Sequence, residues 1–325
     1  MLNALRRLDP LIVLIVTAVL IAIVLPARGQ FAEVFAALTN IAIALLFFLY
    51  GARLSTREAL AGLKHWKLHL TILAATFVVY PLIGMALRPL SFVVGDELYL
   101  GILYLTLVPS TVQSSVAFTS IAHGNVAGAI VSASLSNLAG VILTPLLVML
   151  CMGAGHGIHI DSSVFLEISL LLLLPFVLGQ LTRRWMKNFA AHKATKVVDR
   201  GSIAMVVYSA FSSGVVGGIW SDIGIGQLFF LIAFAVALVS AVLWLTRWVS
   251  ARLGFARPDV IAIEFCGSKK SLATGLPMAS VIFATGGGQL GLLILPLMIY
   301  HQVQLMVCSW LAARYARQEP AAEAR

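Results

Sequence analysis

The chain has 325 residues, 60% of them hydrophobic and only 11% charged, with a formal net charge of +9. A soluble domain carries about 25% charge, and long apolar runs recur here from end to end, so the composition describes an all-α polytopic membrane protein. The positive charge is spread among loops instead of forming a patch, which excludes nucleic acid as a partner and leaves the lipid bilayer as the expected surroundings.

Ten apolar runs follow in order: 11–26, 31–52, 69–87, 99–121, 126–152, 163–182, 202–220, 227–247, 258–284 and 289–312. At 1.5 Å per residue most of them cover about 30 Å of hydrocarbon; the first is short and needs its flanks. Arg6 and Arg7 ahead of LIVLIVTAVLIAIVLP give the opening the outline of a secretory signal, but no small-x-small cleavage site follows, so it counts as the first span. The loops test the count. Of 22 Lys and Arg residues, Arg28 and Arg88 fall in outside loops, Lys269 and Lys270 fall within a span, and the rest lie on one side if both termini are cytoplasmic. Cys151, Cys266 and Cys308 sit in or beside apolar runs with no CxxC spacing, as small buried hydrophobes do.

Five spans, the outer connection GAGHGIHIDSS (153–163), then five more spans give two halves that enter the membrane in opposite directions. This is the arithmetic of an inverted repeat, residues 1–152 and then 153–312, within a single transporter unit over 1–325 whose residues 313–325 form a cytoplasmic tail. Internal echoes agree. Span 4 is interrupted by VPSTVQSS (108–115) and span 9 by CGSKKS (266–271), and the Gly-containing joints AHGN (122–125) and ATGGGQLG (284–291) follow them. Spans 5 and 10 then carry polar residues at mid-depth: Ser132, Ser134, Ser136 and Asn137 in one, His301, Gln302 and Gln304 in the other. Interrupted spans at matching positions of two halves point to a transport site.

A helix broken in the bilayer exposes amides and carbonyls that lipid cannot satisfy. Pro109 removes a donor and disfavours helix at Val108. Gln113, Ser114 and Ser115 then supply amide and hydroxyl oxygens, and Glu264 is the carboxylate well inside a span. A hard cation such as sodium takes several oxygens including a carboxylate. Glu264 with Gln113, Ser114 and Ser115 is therefore a candidate cation site, with sodium as coupling ion and no further cofactor or metal. A structural ion pair of Glu264 with Lys269 or Lys270 is the other reading. GSKKS also reads as a helix start, with Gly267 breaking, Ser268 capping and both lysines in the first turn, where they become useful if an anion sits against the free amides. His301 is either a proton relay, a substrate contact or a satisfied buried histidine. No nucleophile-plus-base pairing, phosphate loop or metal-ligand cluster anchors an enzyme reading.

PSTVQSSVAFTSIAHGNVAGAIVSASLSNLAG (109–140) resembles the fourth-to-fifth span crossover of the bile acid:sodium symporter family, and IAIEFCGSKKSLATGLPMASVIFA (261–284) resembles its ninth span, closest to the SBF-like sodium bile acid cotransporter branch with its Gly-Ser-Lys-Lys-Ser run. The resemblance implies ten helices in a panel (spans 1, 2, 6 and 7) and a core (3–5 and 8–10), with spans 4 and 9 unwound and crossing beside sodium. It places Ser114 and Ser115 on the family's Ser-Asn sodium ligands, Glu264 on its shared glutamate and Thr76 on a second-site glutamine. Ser132 or Ser136 would supply the fifth-span ligands. The second sodium site is displaced by Ser268, Lys269 and Lys270, one of whose amines would serve as a surrogate charge. Asn137, His301 and Gln302 would line the substrate cavity.

The expectation is a multi-pass secondary transporter of the plasma membrane, or of the inner membrane if the chain is bacterial. It would move a small organic anion by alternating access, coupled to sodium or to protons. A membrane regulator of ion, in particular calcium, homeostasis without net solute transport is the alternative.

Overall fold

The computed structural model describes residues 10–53, 65–153, 169–192, 194–218, 224–283 and 290–318. Among these residues there are helices and joints but no strands. Each of the ten apolar runs holds helix. The helices are α1 (Pro10–Val24), α2 (Gly29–Arg53), α3 (Trp66–Ala74), α4 (Tyr80–Ala86), α5 (Ser91–Val94), α6 (Asp96–Leu107) and α7 (Gln113–Ile121). They continue as α8 (Val126–Met152), α9 (Leu174–Ala190), α10 (Thr195–Val216), α11 (Ile225–Arg252), α12 (Arg257–Gly267), α13 (Leu272–Ile282) and α14 (Leu290–Gln318). Five segments are long and apolar enough to cross a bilayer alone: α2, the α3–α4 rod, α8, α11 and α14. The helix of the sixth apolar run continues past the end of that run at 182, to Ala190 through Arg183, Arg184 and Lys187. The connection 153–163 and the joint residues 284–289 lie outside the described residues, apart from Gly153.

The chain divides into two compact bodies. The first holds α1, α2, α9 and α10, the helices of spans 1, 2, 6 and 7, together with α13 from Leu276 onward and the start of α14 to Leu292, which belong to spans 9 and 10. Its tightest seam joins α2 to α9 and depends on two glycines: a Cβ on Gly51 would run into the Phe176 carbonyl, and one on Gly179 into the Phe48 carbonyl. Absent side chains let two backbones touch, the usual device where lipid supplies no hydrophobic drive between helices. At one end of this seam Arg53 donates to the Ala190 carbonyl at 2.7 Å, to Asp199 at 2.7 Å and to Thr195 at 2.8 Å. Arg53–Asp199 is the one ion pair among the described residues.

The second body holds α3 to α8, α11, α12, the first turn of α13 and α14 from Leu293 onward. Between α3 and α4 the backbone widens into a π turn, Ala75–Val79. Pro81 explains it. In the widened register the Tyr80 amide bonds the Ala75 carbonyl, and the next donor, to Thr76, is missing because proline has no N–H. A second π turn, Ser169–Leu173, stands in the same relation to Pro175 in the first body.

Candidate functional site

The site is built where α6 and α12 both stop inside the second body. A helix end leaves its last carbonyls without intrahelical donors, and in an apolar interior each must find another. Here the two breaks supply one another. Helix α6 ends at Leu107, Val108 turns extended and Pro109 packs its ring on Gly140 of α8. The Leu107 carbonyl accepts from Thr144 at 2.9 Å, and the Ser110 carbonyl from Asn137 Nδ2 at 2.9 Å. On the other strand of the crossing, the Cys266 carbonyl accepts from Ser110 Oγ at 2.6 Å and the Phe265 carbonyl from Ser115 Oγ at 3.4 Å. The Ser271 amide donates to the Pro109 carbonyl at 2.7 Å, which ties the two interruptions backbone to backbone. Ser268 offers its carbonyl to the phenols of Tyr80 and Tyr300.

Lys270 takes the carbonyls that remain. Its Nζ donates to Thr106 O at 2.8 Å, Val108 O at 2.9 Å and Thr76 O at 2.9 Å, and lies 4.2 Å from the centre of the Tyr80 ring. The three acceptors are the helix-end carbonyls of α6 and the carbonyl that Pro81 leaves free in the π turn. Three oxygens and an aromatic face form a cage for one monovalent cation, and the ammonium fills it. Gln304 fixes the backbone of the same residue: its Oε1 accepts from the Lys270 amide at 2.9 Å and its Nε2 donates to the Lys270 carbonyl at 2.8 Å.

Lys269, one residue earlier, is treated differently. It too is buried, yet its Nζ has no hydrogen-bond partner, and neither does Ser268 Oγ. The ammonium stands 4.0 Å from the Phe118 ring centre and 5.4 Å from that of Phe265. Glu264 is paired with neither lysine. Its carboxylate, 2% exposed, meets the Tyr315 hydroxyl at 3.0 and 3.1 Å, and that hydroxyl accepts from Arg247 Nη1 at 2.6 Å. The ion-pair reading of Glu264 is thereby corrected, because the Lys270 ammonium is taken by backbone carbonyls and the Lys269 ammonium lies against aromatic rings. The helix-start reading of GSKKS is corrected as well. Helix α12 runs through Gly267 and α13 begins only at Leu272, so both lysines lie in unwound chain. The cap is Ser271, whose Oγ accepts the Thr274 amide at 3.2 Å.

The other sequence candidates fall in several places. Ser114 and Ser115 gather around Thr111, at 2.6 and 3.1 Å between hydroxyls, close to the Phe265 carbonyl but with no hydrogen bond to the Glu264 carboxylate. Gln113 opens α7 with its side chain exposed. Ser132 bonds His69 Nδ1 at 2.6 Å, and Ser136 accepts the Ser110 amide at 3.0 Å. Thr76 contributes its carbonyl, while its hydroxyl bonds back to Ile72 O. Asn137 joins the crossing through Ser110 and accepts from Thr274 at 2.8 Å. His301 is buried against Gln304 at 2.8 Å, and Gln302 is half-buried on the next position of α14. Tyr80, Tyr300, Tyr315, Thr106 and Arg247 have places in this network that reasoning from the sequence misses. The available signal is tyrosine in mid-span, where a hydroxyl needs a partner.

A family model described as the SBF-like CPA transporter family matches residues 9–317. The uncharacterized protein PA2026 of Pseudomonas aeruginosa is 50% identical over 95% of this chain and 93% of its own length. The Escherichia coli protein named "Putative symporter YfeH" is 47% identical over 96% of this chain and 94% of its own. The rat protein named sodium/bile acid cotransporter 7 is 31% identical over 84% of each chain. The names of the Escherichia coli and rat relatives are those of transporters, a non-enzyme class. With its apolar helices and a match along nearly its whole length, the chain is a multi-pass membrane protein that belongs to the SBF-like CPA transporter family.

Proposed function

We propose that this protein is a secondary transporter that moves a small organic anion across the plasma membrane, or the inner membrane of a bacterium, by alternating access with sodium as coupling ion. The observation that carries the reading is the pair of interrupted helices tied by the Ser271–Pro109 backbone bond, with the Glu264 carboxylate one turn before the break. Such breaks persist in a bilayer where they line an ion or substrate path. In this reading ten spans form two inverted repeats, residues 1–152 and 153–312, with both termini cytoplasmic. Sodium binds at Glu264 with the Ser114 and Ser115 hydroxyls, hard oxygens of the type such a cation takes beside a carboxylate. Lys270 holds the place of a second cation. The name of the rat relative supports sodium and an organic anion as cargo, and that of the Escherichia coli relative supports symport.

The test is thermal stability of the detergent-purified protein in sodium against potassium or choline at equal ionic strength, for wild type and Glu264→Gln. Stabilisation by sodium that vanishes in the variant is expected. No sodium effect in wild type, together with a large loss of stability in the variant, overturns sodium at Glu264. Counterflow in proteoliposomes then separates transport from a second reading, a membrane regulator of ion homeostasis without net solute movement. The Lys270 cage, filled by the chain's own ammonium, favours that second reading, and a regulator shows no counterflow with any organic anion.

A further inference from the structure

Among the described residues the Glu264 carboxylate has one hydrogen-bond partner, Tyr315. Glu264 lies seven residues into α12, about 10 Å from the Arg257 end. Over it sits Tyr315, in the last turns of α14, 6% exposed, its ring packed edge-on against Phe265 at 6.3 Å between centres. The phenol meets both carboxylate oxygens. Above the phenol, Arg247 of α11 is exposed, donates to the Tyr315 oxygen at 2.6 Å and holds its guanidinium 5.5 Å from the ring centre. A phenol has one proton. With Arg247 occupying a lone pair, that proton is committed to Glu264. Arg252, Arg314 and Arg317, all exposed near the same helix ends, mark this as the face that the charge distribution assigns to the cytoplasm.

We propose that Tyr315, held by Arg247, is the cytoplasmic gate of the Glu264 site: its hydroxyl covers the carboxylate edge that a cation crosses on this side, and the gate opens when phenol and cation exchange. Tyr315 and Arg247 are positioning residues that set which side the carboxylate faces. The proposal rests on the reading of Glu264 as a cation site, and the experiment below separates the two. Cys308 lies two turns below Tyr315 on the same face of α14, and its thiol is buried and free; Cys266, two residues from Glu264, points its thiol at the Ala129 carbonyl of α8 at 3.8 Å. Cys308 is the native reporter of the space under the phenol.

In a Cys151→Ser, Cys266→Ala background, everted membrane vesicles are treated with a charged, membrane-impermeant methanethiosulfonate. Wild-type Tyr315 is expected to leave Cys308 slow to react. Tyr315→Phe keeps the ring and removes the bond to a charged group, and labelling is expected to rise about tenfold; Arg247→Gln gives a smaller rise, and Tyr315→Ala the largest. Right-side-out vesicles show no change. A Tyr315→Phe rate equal to wild type overturns the proposal, even if Tyr315→Ala labels fast, because the ring would then be packing and the hydroxyl idle. A rise seen only in right-side-out vesicles overturns it too. Melting temperatures of Tyr315→Phe and wild type within a few degrees exclude global loosening as the cause. Sodium added to Tyr315→Phe slows labelling if Glu264 holds the ion; a gate that opens without sodium protection retains this proposal and overturns sodium at Glu264.

Discussion

Two adjacent lysines carry the same charge into the same apolar interior and meet opposite surroundings. Lys270 has three carbonyl acceptors and an aromatic face; Lys269 has two aromatic faces and no acceptor. Burying an ion costs several kcal/mol even after relaxation. Hydrogen bonds from a charged donor return about 1.5–3 kcal/mol each, and a desolvated cation–π contact returns about 2. The burial of Lys270 is thus offset by its partners, while Lys269 is compensated far less. Lys270→Ala leaves three buried carbonyls unsatisfied, at about 1–3 kcal/mol each. Its melting temperature is expected to drop sharply and to recover in part with millimolar sodium, potassium or methylammonium, which enter the emptied cage. Lys270→Met, with the cage plugged by a thioether, falls without recovery. Lys269→Met is expected to stay within about 1 kcal/mol of wild type or to gain stability, since replacing a poorly compensated buried charge with an apolar chain is often neutral or better. Thermal melts in detergent across the four proteins check the series. In the sequence both lysines are candidates for pairing with Glu264, because spacing alone places them near it. Which acceptors each finds depends on carbonyls far away in the chain, 162 to 194 residues distant for Lys270.

Among the elements, interruptions organise this protein as much as helices do. Pro109 ends α6, and its consequence is a set of free carbonyls that Thr144, Asn137 and Lys270 complete. Pro81 acts more subtly: it leaves the rod of α3 and α4 unbroken, widens one turn and releases the Thr76 carbonyl toward Lys270. The break at Pro109 is legible in the sequence, since proline followed by a polar run inside an apolar span has few other meanings. The π turn is not, because proline early in a helix is compatible with unbroken α geometry. The first body shows the complementary device, close helix approach. Gly179→Leu drives a side chain into the Phe48 carbonyl, whereas a Cβ added to Gly201, in α10, would have no atom within 4 Å. Overpacking costs about 1–3 kcal/mol and more against backbone. Gly179→Leu is expected to abolish a monodisperse size-exclusion peak that Gly201→Leu retains; equal profiles would mean that the α2–α9 seam yields more readily than its backbone contact implies.

Across the whole molecule, charge sets the expected topology. Arg28 and Arg88 stand apart from the basic residues of the other face. Reporter fusions give the measurement. Alkaline phosphatase is expected to be active when fused after residue 28 or in the 153–163 connection, and green fluorescent protein to be bright when fused at the C-terminus. A dark C-terminal fusion beside an active phosphatase after residue 28 would mean an odd number of spans. Membrane character, the ten apolar runs, the two interruptions and the family are all readable from the residues alone, because hydrocarbon thickness, loop charge and proline act locally and leave marks in composition and spacing. Glu264 and the two lysines stand out there too, as charges that require an explanation. Their partners emerge only in three dimensions: Tyr315 for the carboxylate, a carbonyl cage for Lys270 and aromatic rings for Lys269. The physical reason is that the groups left unpaired at a broken helix belong to the backbone, which is the same in every residue. Their location in space, and hence which side chain completes them, follows from packing between segments far apart in the chain.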